Sequence, residues 1–182
     1  CDLISQFSLP PKGSFYKIII VTRNADEPLY NFLRRKDDRI QVLEGMQNLP
    51  PLDKFDKDLP SLVVVDDLVL SKKQDAISNY FIRCRKLNVS CIYISQSFYL
   101  CPKIIRQNVN NIIILKLSTE REIKMIMSEC SVGLSRDQLL ALYQDATSTP
   151  MCPLIINMEV LADDPKKFRK GYNHYLSIND YK

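Results

Sequence analysis

The sequence predicts a three-layer α/β domain built on a mainly parallel sheet. Several short runs of β-branched and apolar residues are continuous instead of alternating, as expected for strands buried on both faces. Between them lie segments with apolar residues at helical spacing. No internal repeat, low-complexity tract or obvious linker interrupts the alternation, so right-handed crossovers within one domain are expected. A chain of 182 residues, 46% hydrophobic and 25% charged, suits a single domain, 1–182, with a sizeable core.

Taken in order, the first strand is Lys17 to Thr22 (KIIIVT), followed by a helix from Glu27 to Lys36 with Leu29, Phe32 and Leu33 on one face. Ile40 to Leu43 is a weaker candidate, suited to a sheet edge. Pro50-Pro51 through Pro60 reads as a loop, because proline removes backbone donors. Leu62 to Asp66 is the second strong strand. Gln74 to Leu87 then repeats apolar residues at Ile77, Phe81 and Cys84. Cys91 to Ser95 and Ile112 to Leu117 are further strands. A helix from Thr119 to Cys130 carries Ile123, Ile126 and Met127, and Ser135 caps another that runs through Tyr143. Leu154 to Met158 is the last strand, and 160–182 reads as a C-terminal tail.

Composition excludes several classes. No apolar run approaches the roughly 20 residues that span a bilayer, and no signal peptide is visible, so a soluble intracellular protein is expected. The one histidine, His174, makes a Ser-His-Asp or Cys-His mechanism improbable. The six cysteines, Cys1, Cys84, Cys91, Cys101, Cys130 and Cys152, include no CxxC pair. They are expected to be reduced thiols, not a zinc site or disulfide framework. A net charge of +4 permits nucleic-acid contact without arguing for it.

In parallel sheets, ligands bind outside the carboxyl ends of the strands. The run Leu62-Val63-Val64-Val65 ends there in Asp66-Asp67. Adjacent carboxylates at a strand tip are what a nucleotide hydrolase uses to hold Mg²⁺ and to orient the attacking water. The same pattern also suits a polar loop whose acids cap the next helix. One strand along, Cys91-Ile92-Tyr93-Ile94 leads into Ser95-Gln96-Ser97, where a glutamine can reach a γ-phosphate or serve only to cap. Arg83, Arg85 and Lys86 precede that strand, and Lys103 and Arg106 follow it. These cations are either charge-stabilising groups or a solvated face.

The order of these pieces is more specific than any one of them. LVVVDDLV, then FIRCRKLNVSCIYISQSFYLCPKIIRQNVNNIIILKL, resembles the FtsK-HerA superfamily of P-loop ATPases, and within it the DNA-packaging ATPases of poxviruses, other large DNA viruses and virophages. The likeness runs from about Phe15 to Met158. It implies a P-loop NTPase fold of the RecA/ASCE type and the cofactors ATP and Mg²⁺. By resemblance, Asp66 binds the metal, Asp67 activates water and Gln96 is the polar sensor. Arg85 and Arg106 occupy positions where the family places arginines that face the γ-phosphate, in cis or from a neighbouring subunit. The implied partners are double-stranded DNA, further copies of the chain in a ring (a hexamer, with a pentamer as the alternative), and capsid portal or vertex proteins. Lys103, Arg106, Lys166 and Lys167 are the candidate DNA contacts, and the implied setting is host cytoplasm, viral factory or virion.

One departure stands out. No GxxxxGK[ST] occurs in the chain, whose only glycines are Gly13, Gly45, Gly133 and Gly171. The chain opens at Cys1, and Cys1 to Phe7 resembles the end of the helix that follows the phosphate loop, with 1–12 as that helix's tail. The expectation is therefore an ATPase core missing its first strand and phosphate loop, and inactive alone. Two other readings stand beside it: a catalytically inert α/β interaction module, and a DNA-transfer or segregation ATPase of the same superfamily.

Overall fold

The computed structural model describes residues 13–69, 74–129, 134–161 and 163–181. The chain divides into two compact units, with the boundary between Asn108 and Val109. The segment 1–12, expected to be the tail of a helix, lies outside the described residues.

In the first unit, β1 (Lys17–Thr22), β2 (Ile40–Glu44), β3 (Ser61–Asp66) and β4 (Val89–Ile94) form a parallel sheet in the order β2-β1-β3-β4. The predicted weak strand is thus an edge. Ile18, Ile19, Val21, Val63 and Val65 are fully buried, which explains why β1 and β3 are apolar without alternation. On one face, Ile18, Ile20, Leu62 and Val64 pack with Tyr30 and Leu33 of α1 (Pro28–Lys36). On the other lies α2 (Gln74–Arg83), whose Phe81 meets Tyr93 edge-to-face at 6.4 Å between ring centroids. Tyr93 pairs with Val65, so it projects from the face opposite Val64. Helix, sheet and helix make three layers here.

Element ends have local causes. Pro28 opens α1, where its missing N–H costs nothing. The predicted helix through Leu87 is α2 plus a 3₁₀ turn, Cys84–Leu87, and ends at Asn88 in the left-handed region, φ 51°. The α1–β2 turn is held by Asp37, 7% exposed, whose carboxylate accepts from the Arg39 guanidinium at 2.6 Å. Arg39 also donates to the Phe15 carbonyl at 2.7 Å, tying the turn to the strand entrance. A short helix, α3 (Lys103–Asn108), which the spacing did not suggest, follows β4.

The second unit corrects the expectation of a mainly parallel sheet throughout. β5 (Asn111–Ile114), β6 (Leu154–Asn157), β7 (Phe168–Lys170) and β8 (His174–Leu176) form a separate antiparallel sheet in the order β5-β6-β7-β8. The reason is connectivity. Two helices, α4 (Glu120–Glu129) and α5 (Arg136–Ala146), join β5 to β6. One crossover helix reverses the chain twice and returns it for parallel pairing, whereas a second helix adds a third reversal and delivers the strand antiparallel. The connections after β6 are too short for a crossover, so hairpins result. Gly171, φ +62°, lies in the last turn, a conformation that glycine adopts without strain. Residues 160–182, read above as a tail, carry β7, β8 and a 3₁₀ turn at Ile178–Tyr181. Ser135 caps α5 in a reciprocal box with Gln138, and α5 runs one turn past the predicted Tyr143. Among the described residues, no helix is long and apolar enough to cross a membrane.

The Asp37–Arg39 pair yields a stability prediction. Hydrogen bonding to Arg39 holds the Asp37 carboxyl below the usual carboxylate range. Its contribution is present above the ordinary carboxylate pKa and is lost as pH falls toward the depressed folded value. Asp37→Asn should cost about 1.5–3 kcal/mol at pH 7, the usual worth of a hydrogen bond to a charged group. In urea titrations the gap from the parent should close in acid; a gap that stays constant with pH would remove the ionic explanation.

Candidate functional site

The parallel register sets the site. Thr22 pairs with Glu44 on one side and with Asp66 on the other, and Asp66 pairs with Ile94. The last residues of all four strands therefore stand in one rank at the carboxyl edge. Asp66 projects from the same face as Leu62 and Val64, the face that α1 covers. There the Tyr30 hydroxyl donates a short hydrogen bond to Asp66 Oδ2. Burial, reinforced by the adjacent Asp66 carboxylate, pushes the Tyr30 phenol up to about 12, so the hydroxyl remains a donor at neutral pH.

Asp67 is exposed and has φ 52°, in the left-handed region that aspartate tolerates better than most residues. Its N–H donates to the Ile94 carbonyl at 3.4 Å, which ties the loop after β3 to the end of β4. A second tie comes from Gln74: its side-chain amide donates to the Leu68 carbonyl at 2.5 Å and accepts from the Tyr93 hydroxyl at 3.2 Å. Past β4, Ser95 Oγ donates to the Ser97 carbonyl at 2.7 Å and accepts from the Ser97 N–H at 3.1 Å, a tight turn with Gln96 exposed at its tip.

The sheet thus brings Asp66, Asp67 and Gln96 to one edge. Arg106 on α3 joins that end through its guanidinium, 5.1 Å from the Phe98 ring centroid, two residues beyond Gln96. Lys103 is exposed on the same helix. Arg85 lies elsewhere, in the 3₁₀ turn that precedes β4, so the six residues of that strand separate it from Gln96. At about 3.3 Å per residue this is roughly 20 Å. In the second unit, Lys166 is exposed, whereas Lys167 is 5% exposed with Nζ donating to the Val160 carbonyl at 2.9 Å.

Sequence reasoning missed Thr22, Tyr30, Gln74 and Tyr93. Thr22 alone carried a signal, as the polar residue that ends the apolar run of β1. Cys84, Cys91, Cys101 and Cys152 form no disulfide among the described residues. A hydrogen bond from Cys91 draws the Cys84 thiol down to about 7, while Cys91 is pushed up by that bond and by burial. Cys1 and Cys130 lie outside the described residues.

The model of the poxvirus A32 protein family matches residues 20–170, most of the chain and every residue of the site just described. The chain belongs to this family. It is a family of viral genome-packaging ATPases, which gives the carboxyl-edge acids a chemical context. No curated protein matches the chain. Among the described residues, no cluster of three or more His, Cys, Asp or Glu could cage a metal. Mg²⁺ in phosphate chemistry needs no such cage, since it is held by one or two carboxylates together with phosphate oxygens and water. A carboxylate at the carboxyl end of a parallel strand, as Asp66 is, fits that demand. A triphosphate cradle of the GxxxxGK[ST] kind is not among the 182 residues.

The left-handed backbone at Asp67 separates folding from chemistry. Asn tolerates this conformation, so Asp67→Asn should keep the denaturation midpoint within about 0.5 kcal/mol, while Asp67→Ile should lose about 1–2 kcal/mol. Equal losses in both variants would show that the carboxylate itself stabilises the fold.

Proposed function

We propose that this chain is the metal- and water-handling part of a DNA-packaging motor ATPase of the FtsK-HerA type, with a P-loop NTPase core. The observation that carries the reading is the rank of strand ends that sets Asp66 and Asp67 beside the Gln96 turn. In the full-length protein, Asp66 would hold Mg²⁺ with ATP phosphates. The ion would supply charge neutralisation on the phosphate oxygens. Asp67, on its loop tied to Ile94, would accept the proton of the attacking water, and the Gln96 amide would orient that water. Arg106, packed against Phe98, would place positive charge at the same edge. Arg85, a strand's length away, would act only toward a neighbouring subunit, which makes activity depend on a ring of copies, a hexamer in this reading.

Double-stranded DNA is the proposed cargo, with capsid portal or vertex proteins receiving it. Of the candidate contacts, Lys103 and Lys166 present exposed ammonium groups. The Lys167 ammonium faces a carbonyl of its own unit and is a weaker candidate. Without a phosphate cradle, the 182 residues alone should show no ATP turnover. The inert-module reading draws on that same missing cradle, and full-length protein that fails to bind ATP would favour it.

Asp67→Asn in the full-length protein should lower ATP turnover at least about 100-fold while leaving nucleotide affinity largely intact, because the carboxylate acts on water and not on ATP. Turnover at the parent rate would defeat the proposal. DNA binding should fall steeply between about 50 and 200 mM salt, and Lys103→Ala should reduce the salt slope by about 1. A slope unchanged in Lys103→Ala would take that residue out of the DNA interface.

A further inference from the structure

The structure assigns Tyr30 a positioning role: its hydroxyl, delivered by α1, fixes the Asp66 carboxylate for metal binding. This rests on the proposed reading of Asp66 as the Mg²⁺ acid. Three independent placements converge on one point. Thr22 and Asp66 are register partners at the ends of adjacent central strands, so their side chains leave the same face side by side. Tyr30, 4% exposed, is locked in the apolar cluster of Ile18, Ile20, Leu33, Leu62 and Val64, which leaves its ring little rotational choice. Its hydroxyl donates to Asp66 Oδ2, and Thr22, itself 3% exposed, stands beside that carboxylate in register.

A strand-end carboxylate would otherwise rotate about its terminal torsion, which is broad and roughly two-fold. With Oδ2 engaged by Tyr30, the plane of the carboxylate is set and Oδ1 is the oxygen left to address a cation. Outer-shell hydrogen bonds of this kind orient metal ligands, and their removal commonly costs 10–100-fold in metal affinity or activity. The helix that carries Tyr30 is itself fixed at its entrance. Arg34 on α1 donates to the Ala25 carbonyl at 2.6 Å and to the Asn31 side chain at 2.7 Å, so the hydroxyl is held by rigid elements and not by a loop.

Tyr30→Phe keeps the ring in the apolar cluster and deletes only the hydroxyl. The test uses full-length protein with ADP and Mn²⁺, the bound ion being counted by electron paramagnetic resonance. Turnover against Mg²⁺ concentration is measured alongside. Tyr30→Phe should weaken Mn²⁺ binding about 10-fold and raise the half-saturating Mg²⁺ by a similar factor, with ADP affinity unchanged. Thr22→Val, which removes the hydroxyl beside Asp66 in register, should shift both in the same direction by less. It also provides the comparison should the Phe variant fold poorly. If Tyr30→Phe loses thermal stability but binds Mn²⁺ as the parent does, the hydroxyl only satisfies a buried polar contact and the inference is overturned. Asp66→Asn separates the two levels. If that variant retains parental Mn²⁺ binding, the metal assignment of Asp66 fails and the role of Tyr30 fails with it.

Discussion

The in-register parallel pairing of β1 with β3 is the constraint on which the rest depends. Both strands are central, and their apolar side chains are buried on both faces. A slip of one residue would exchange the faces of β3 against α1 and α2, so the register is held by every layer at once. The same register that seats Val63 beside Ile19 also seats Asp66 beside Thr22. Core packing and site geometry are therefore one decision, and the acid cannot move without repacking the sheet.

Around this pair, the polar groups at the carboxyl edge are tied in sequence. Tyr30 reaches Asp66 from one face, Gln74 and Tyr93 brace the loop at Leu68 from the other, and the Asp67 N–H joins that loop to β4. Asp67 and Gln96 stand exposed at this braced edge. The edge of β4 tells a complementary story. It is the terminal strand of its sheet among the described residues, and Ile94 at its tip is 46% exposed.

Much of this was legible in the residues. The doubled acid after four apolar residues, the Ser-Gln-Ser turn and the Pro102–Asn108 stretch occur in an order that matched the family to which the chain belongs. The β1 and β3 boundaries differ by at most one residue from the apolar runs, because burial on both faces leaves an unambiguous trace. Helix α3 escaped notice because six residues are too few to show a period.

The sequence by itself determined the strands β1 to β6 and the longer helices, and that two carboxylates would sit at a strand tip. Those properties are local, written in periodicity and in the residues that end each run. Only the tertiary structure decided that β5 and β6 pair antiparallel, that Lys167 turns inward, and that Arg85 stands a strand's length from the acids. It also decided that Tyr30, 36 residues from Asp66 in the chain, closes on its carboxylate. Periodicity reports that a face is buried, but not against what. The partner is chosen by long-range hydrogen bonding, connection length and packing, which no local window of sequence contains.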